Sequence, residues 1–182
     1  MSGSSEAKQI HMLRSSLRDL LALTALPALW VGQPPESVLE GLVDAVTRLL
    51  QADIVHARLG PRRQPLATPV TRTAHAGESA ALDQALEGAL RRWETRPGAG
   101  PVSLLPYGPV TGIVRLAVWS LGADGGVLAV GTRRGDFPTE QECLLLGVAA
   151  SQGAVALQNA TLLAASRSAR VTTDAASPGP AS

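Results

Sequence analysis

The chain carries one cysteine and three histidines in 182 residues, and these set the chemistry open to it. Cys143 excludes an internal disulfide and a thiolate metal cluster, both of which need a second sulfur at a set spacing. It falls in the first turn of an expected helix, where the positive helix end favours thiolate. With no resolving cysteine or base near it in sequence, it reads as a packing residue. His11, His56 and His75 lack metal-ligand spacing, so no metal is expected. His56 lies mid-strand and His75 in a strand-to-helix loop.

No nucleophile elbow, P-loop or His-Glu-x-x-His is present. The glycine-rich stretch Gly122-Ala-Asp-Gly-Gly126 joins two expected strands instead of opening a helix, so it reads as a hairpin turn and not as a phosphate cradle. An enzyme would require a redox pair or an acid–base constellation, and neither is visible. The expected role is regulation without catalysis.

Charge and composition narrow the partners. Sixteen basic against fifteen acidic residues leave a net charge of +1, which gives no electrostatic reason to bind a polyanion or an anionic membrane. Aromatic residues make up only 3%, so stacking platforms for bases are scarce. Arg62 with Arg63, and Arg91 with Arg92, read as solvated surface. Nucleic acid and membrane are therefore not expected partners. Reliance on arginine, with Lys8 the sole lysine, fits a GC-rich bacterial genome. With no apolar run near bilayer length and no leader-like start, the expected location is the cytoplasm.

The elements that must hold these residues follow from periodicity. Apolar positions Ile10, Leu13, Leu17, Leu20, Leu21, Leu23 and Leu26 recur at helical spacing from Ala7 to about Trp30, with Pro27 expected to kink or end the helix. A second helix is expected over Pro35 to Ala52, with Glu36 and Glu40 near its positive end. Strands are expected at Asp53 to Leu59 and Thr68 to Ala74, then a helix at Gly77 to Arg96. Three more strands follow: Val102 to Leu105, Thr111 to Leu121, and Gly126 to Arg133. The run Val127-Leu-Ala-Val130 reads as a strand covered on both faces. Thr139 as N-cap with Glu142 three residues on forms a capping box for a helix of over twenty residues. The fold class is α+β: an antiparallel sheet of about five strands, a covering helix, and helices at both chain ends. Residues 1–6 and 169–182 read as a disordered tail and a disordered tail or linker, with one domain over 7–168.

Gly126-Val-Leu-Ala-Val130, then Phe137-Pro-Thr-Glu140, then a helix carrying Ala150-Ser-Gln152-Gly-Ala-Val-Ala156-Leu-Gln-Asn159-Ala160, resembles the closing strand, loop and helix of a GAF domain. The match covers about a fifth of the chain. The resemblance implies a PAS-like sheet binding a small molecule between the sheet and its covering helices. It also implies pairing through the terminal helices to drive an output domain, as in bacterial sensor histidine kinases of two-component systems. No kinase, cyclase or phosphodiesterase motif is present, so a fragment or stand-alone sensor is expected. The cyclic-nucleotide signature of the family is not recognisable, the single cysteine does not match chromophore-attaching or sulfoxide-reducing members, and the cofactor is left open. Haem held by one histidine, as in some members, is disfavoured.

Residues near the family's cavity are His75, Trp93, Tyr107, Arg115 and Trp119, and they are the candidate ligand contacts. An inward Arg115 would need an anionic ligand or an internal carboxylate. For a homodimer interface the candidates are Leu13, Leu17 and Leu20, with Leu145, Val148, Gln152, Val155, Asn159 and Leu162 at alternating spacings of three and four. The alternative packs that stripe on the domain's own sheet while Ala149, Gly153, Ala156 and Ala160 face another helix. Two readings result: a ligand-sensing, dimerising domain, or a dimerisation module whose cavity its own side chains fill.

Overall fold

A computed structural model describes residues 24–25, 27–61, 66–74, 80–95, 103–107, 112–123 and 125–175, without side chains at 80–81, 103–107, 112 and 168–175. The expected helix start at Ala7, with Leu13, Leu17 and Leu20, lies outside the described residues, as does His75. Helical backbone at 27–29 ends in a turn at Trp30 to Gly32, where Gly32 takes φ 79°. Helical backbone thus runs past Pro27 as far as Leu29, and the turn at Trp30 to Gly32 ends it.

Helix α1 spans Pro35–Leu50, with Pro35 in its first turn and its end turned by Gln51 in the left-handed region at φ 49°. Strands β1 (Ile54–Arg58) and β2 (Val70–Thr73) are followed by α2 (Ala80–Thr95), β3 (Ser103–Tyr107), β4 (Gly112–Ser120), β5 (Val127–Thr132) and α3 (Glu140–Ala175). The sheet is five-stranded, in the order β2-β1-β5-β4-β3. Every neighbouring pair is antiparallel, and the β4–β5 turn uses Gly122 and Gly125 at positive φ.

Because side chains alternate along a strand, the sheet has two distinct faces. Val55, Ala57, Ala117, Leu128 and Val130 meet α1 and α3 in one core, together with Leu39, Leu42, Phe137 and Leu157. Ile54, Val114, Leu116, Val127 and Ala129 meet Leu82, Leu86, Ala89 and Leu90 of α2 in a second. β1 and β5 are buried along their whole length, as strands covered by helices on both sides must be.

The capping box forms. The Thr139 hydroxyl accepts from the Glu142 amide at 3.3 Å, and Glu142 Oε2 accepts from the Thr139 amide at 2.9 Å. Downstream, Ala149, Gly153, Ala156 and Ala160 are all buried. A Cβ at Gly153 would sit 2.6 Å from Leu42 Cδ2, so the small residues let α3 close onto α1. The helix continues through 169–175 to Ala175, a stretch whose composition resembles a tail but which holds neither proline nor glycine to stop a helix.

Candidate functional site: a buried polar pair beneath helix α2

β1 reads Ile54-Val-His-Ala-Arg58, so His56 and Arg58 share the face of Ile54 and point toward α2. Both are buried, His56 at 6% and Arg58 at 2% exposure. A buried guanidinium is costly unless paired. Arg58 Nη2 donates to Glu94 Oε1 of α2 at 2.5 Å, and Nε donates to the Gly60 carbonyl at 3.3 Å. Asp83 and Glu87 sit about three and two turns before Glu94 along the same helix, a spacing that places them on one side of it.

Two atoms in this pair have no hydrogen-bond partner among the described residues: His56 Nε2 and Arg58 Nη1. His56 Nδ1 is satisfied by the Thr71 hydroxyl at 2.9 Å across the β1–β2 ladder. Burial, reinforced by the Arg58 charge, pushes the His56 imidazole down to about 4 against an opposing pull from Glu87 and Asp83. At neutral pH the ring is uncharged. An uncharged imidazole and a charge-paired guanidinium on one strand face each keep one unused hydrogen-bonding atom, while neither acts as a strong base or a free positive charge.

The candidate contacts named from the sequence do not form one site. Trp93 packs on the α2 side with the second core. Arg115 and Trp119 lie on the opposite face: Trp119 packs on the α1–α3 core, and Arg115 Nε donates to the Phe137 carbonyl at 2.7 Å. Half-buried and held by a backbone oxygen, Arg115 does not need the anion that an unpaired inward guanidinium would. Tyr107 lies on β3, separated from β1 by the two strands β5 and β4. The sequence reading missed Arg58. The signal was there in the polar–apolar alternation His56-Ala57-Arg58-Leu59, which a solvent-facing strand edge would produce equally well.

Two grooves lie elsewhere. One of about 420 Å3 between the end of α1 and the start of α3 holds Arg134, Thr139 and Glu142, but these are already bonded to one another. The other, about 350 Å3, runs between the Pro27–Gly32 turn and α3, lined by Trp30, Val31, Asn159, Leu162 and Leu163. Along the expected dimer stripe, Leu145 is buried in the domain core and Val148 packs against it, whereas Val155, Asn159 and Leu162 are exposed. The stripe thus divides at Gln152, its first part serving the domain. Residues Glu140–Arg167 are long and apolar enough to cross a bilayer, contrary to the expectation that no such run exists, but nearly half of that window is buried against the domain. Among the described residues no group of histidine, cysteine, aspartate and glutamate has metal-holding geometry.

No protein-family model matches the chain, and no curated protein matches it. Solved structures do. The GAF domain of a protein assigned as a sensor histidine kinase from Pseudomonas syringae pv. tomato aligns over 90% of this chain and 98% of its own, with a TM-score of 0.52 and 20% identity. The GAF domain from an Acinetobacter phosphoenolpyruvate-protein phosphotransferase aligns over 88% and 96%, at 0.49 and 16%. With its five antiparallel strands between α2 on one face and α1 with α3 on the other, this chain has the fold of a GAF domain.

Proposed function

We propose that the chain is a regulatory, non-catalytic module of a bacterial cytoplasmic signalling protein, which senses a small molecule on the α2 side of the sheet and pairs with a second copy through its terminal helices. The observation that carries the reading is the pair of unpartnered polar atoms, His56 Nε2 and Arg58 Nη1, on a strand face sealed by a helix. Buried polar atoms in folded proteins are nearly always satisfied, so such a pair calls for a guest. Occupancy would be read out by a shift in helix packing, since β1 lies directly between α2 and α1 and α3 packs on α1. The alignment with a sensor histidine kinase's GAF domain favours a histidine kinase as the output domain of such a protein.

A second reading, a ligand-free dimerisation module, draws on a different observation. Leu82, Leu86, Leu90, Val114 and Leu116 fill much of the space between α2 and the sheet. The test is to denature natively purified protein and analyse the supernatant by mass spectrometry, with light scattering of the intact protein at micromolar concentration. The sensing reading expects a dimer that releases a stoichiometric small molecule. A dimer releasing none favours the dimerisation module, and a monomer overturns the helix pairing in both.

A further inference from the structure

We propose that the outgoing end of α3, from Ala160 to Ala175, is covered in cis by the chain's own Ile10 to Leu26 segment, packed antiparallel along it as an amphipathic helix. The inference goes beyond the pairing reading and does not depend on it.

α3 is 36 residues long, and α1 covers only its first part. The two helices run antiparallel: Leu50, at the end of α1, shares a groove with Leu145, Leu42 lies against Gly153, and the Trp30 to Gly32 turn that leads into α1 lies beside Ala156 and Ala160. Ala160 is the last buried residue of α3 among those whose side chains are described. From there to Ala175 the helix extends about 22 Å further.

That arm carries a surface suited to a helix. Leu162 and Leu163 are 62% and 41% exposed and, with Val31 at 79%, rim an apolar groove of about 350 Å3 floored by Trp30, Ala156 and Ala160. A contiguous exposed apolar patch marks an interaction site. The small residues Gly153, Ala156 and Ala160 continue at helical spacing as Ala164, Ser168, Val171 and Ala175, so the face that receives α1 extends beyond it.

The covalent path and the lengths select the occupant. Helical backbone at 24–25 and 27–29 enters at the groove, whose wall includes Pro27, so the residues ahead of it leave from the point where α3 becomes uncovered. Ile10, Leu13, Leu17 and Leu20 recur there at spacings of three and four, an apolar stripe that needs a partner face. As a helix, Ile10 to Leu26 measures about 24 Å, against about 22 Å of arm. A segment tethered at the groove acts at an effective concentration on the order of mM, well above that of a second copy in dilute solution. A displacement of the segment then reaches the outgoing end of α3 without crossing the sheet.

The experiment uses the full chain carrying Cys143→Ser and Ser168→Cys, with a nitroxide on the new thiol and isotope-labelled backbone amides. Should Cys143→Ser fail to fold, Cys143→Ala replaces it. Amides from Leu17 to Leu23 are expected to lose intensity relative to the reduced nitroxide, and to keep that loss when the sample is diluted with a large excess of unlabelled parent chain. Leu17→Glu combined with Leu20→Glu is expected to abolish the loss while the β1 and β5 amides keep their shifts, which separates undocking from unfolding. Full intensity throughout residues 10–23 would overturn the proposal by leaving the arm uncovered. Intensity regained on dilution would overturn it in favour of a second copy as the occupant. A monomer in light scattering with the loss intact removes the pairing reading and keeps this one, and a dimer with no loss does the reverse.

Discussion

Arg58 of β1 and Glu94 of α2 are paired at 2.5 Å, with the arginine side chain 3% exposed and the glutamate 32%. The pair is lopsided: one charge is fully desolvated and its counter-charge keeps contact with water. Removing either partner is therefore not equivalent. Glu94→Gln leaves a buried guanidinium short of its carboxylate and is expected to lower stability by about 1–3 kcal/mol, discounted from a fully buried pair for the solvent at Glu94. Arg58→Met removes the buried charge and leaves an exposed carboxylate, so it is expected to cost less than Glu94→Gln. Urea unfolding of both single variants and the double variant measures the difference. Equal losses from the two single changes would contradict this account.

His56 predicts an acid-sensitive fold. Its imidazole is pushed from 6.5 down to about 4 by burial first and the Arg58 charge second, with Glu87 and Asp83 pulling the other way. Between those two values the unfolded chain binds a proton that the folded chain does not. The contribution is therefore fully present above about pH 6.5 and falls away as the pH drops toward 4, reaching about 3 kcal/mol at the limit. His56→Phe is expected to flatten that part of the stability profile. An unchanged slope between pH 4 and 6.5 in the variant would assign the acid sensitivity to other groups.

The α1–α3 contact predicts a strong size limit at Gly153. A Cβ there would come within 2.6 Å of Leu42 Cδ2 and 3.3 Å of Leu121 Cδ1, and both leucines are fully buried. Gly153→Val must push α3 away from α1 or force Leu42 off its rotamer. The expected loss is about 1–3 kcal/mol by overpacking, which outweighs any gain in helix propensity over glycine. Thermal unfolding checks this, and a variant as stable as the parent would show that the helices are not closely packed at that crossing.

On the proposed pairing, the exposed end of the helical stripe serves the partner and the buried end serves the fold. Val155 and Leu162 are 54% and 62% exposed, one heptad apart, whereas Leu145 is 4% exposed. Leu162→Glu is expected to shift the chain to monomer in light scattering with little change in melting temperature at high concentration. Leu145→Glu is expected to unfold it, because it places a charge in the α1–α3 core. A Leu162→Glu protein that remains dimeric would move the interface away from this stripe.

Much of the architecture was legible because it is written locally. Thr139 and Glu142 are three residues apart and cap each other; Gly122 and Gly125 take the positive φ that the β4–β5 turn demands. Apolar Val127 to Val130 marked a strand covered twice. Even the small stripe at Gly153 was visible as a helix-facing surface. The site was not legible to the same degree, since it depends on contacts between distant segments. Parity in β4 puts Arg115 and Trp119 on a common face, but not which helices cover that face. His56 and Arg58 share a face by the same parity. Only Glu94, thirty-six residues later, makes a buried arginine affordable, and nothing local to β1 announces it. Likewise the helical heptad at Leu145 to Leu162 is continuous in sequence, while the core takes its first part.

The most direct measurement is a crystal structure of the natively purified chain at a resolution that shows ordered water. The account predicts density larger than a water molecule within hydrogen-bond distance of both His56 Nε2 and Arg58 Nη1. The contradicting result is a site in which those two atoms bond only to protein groups or to a single water.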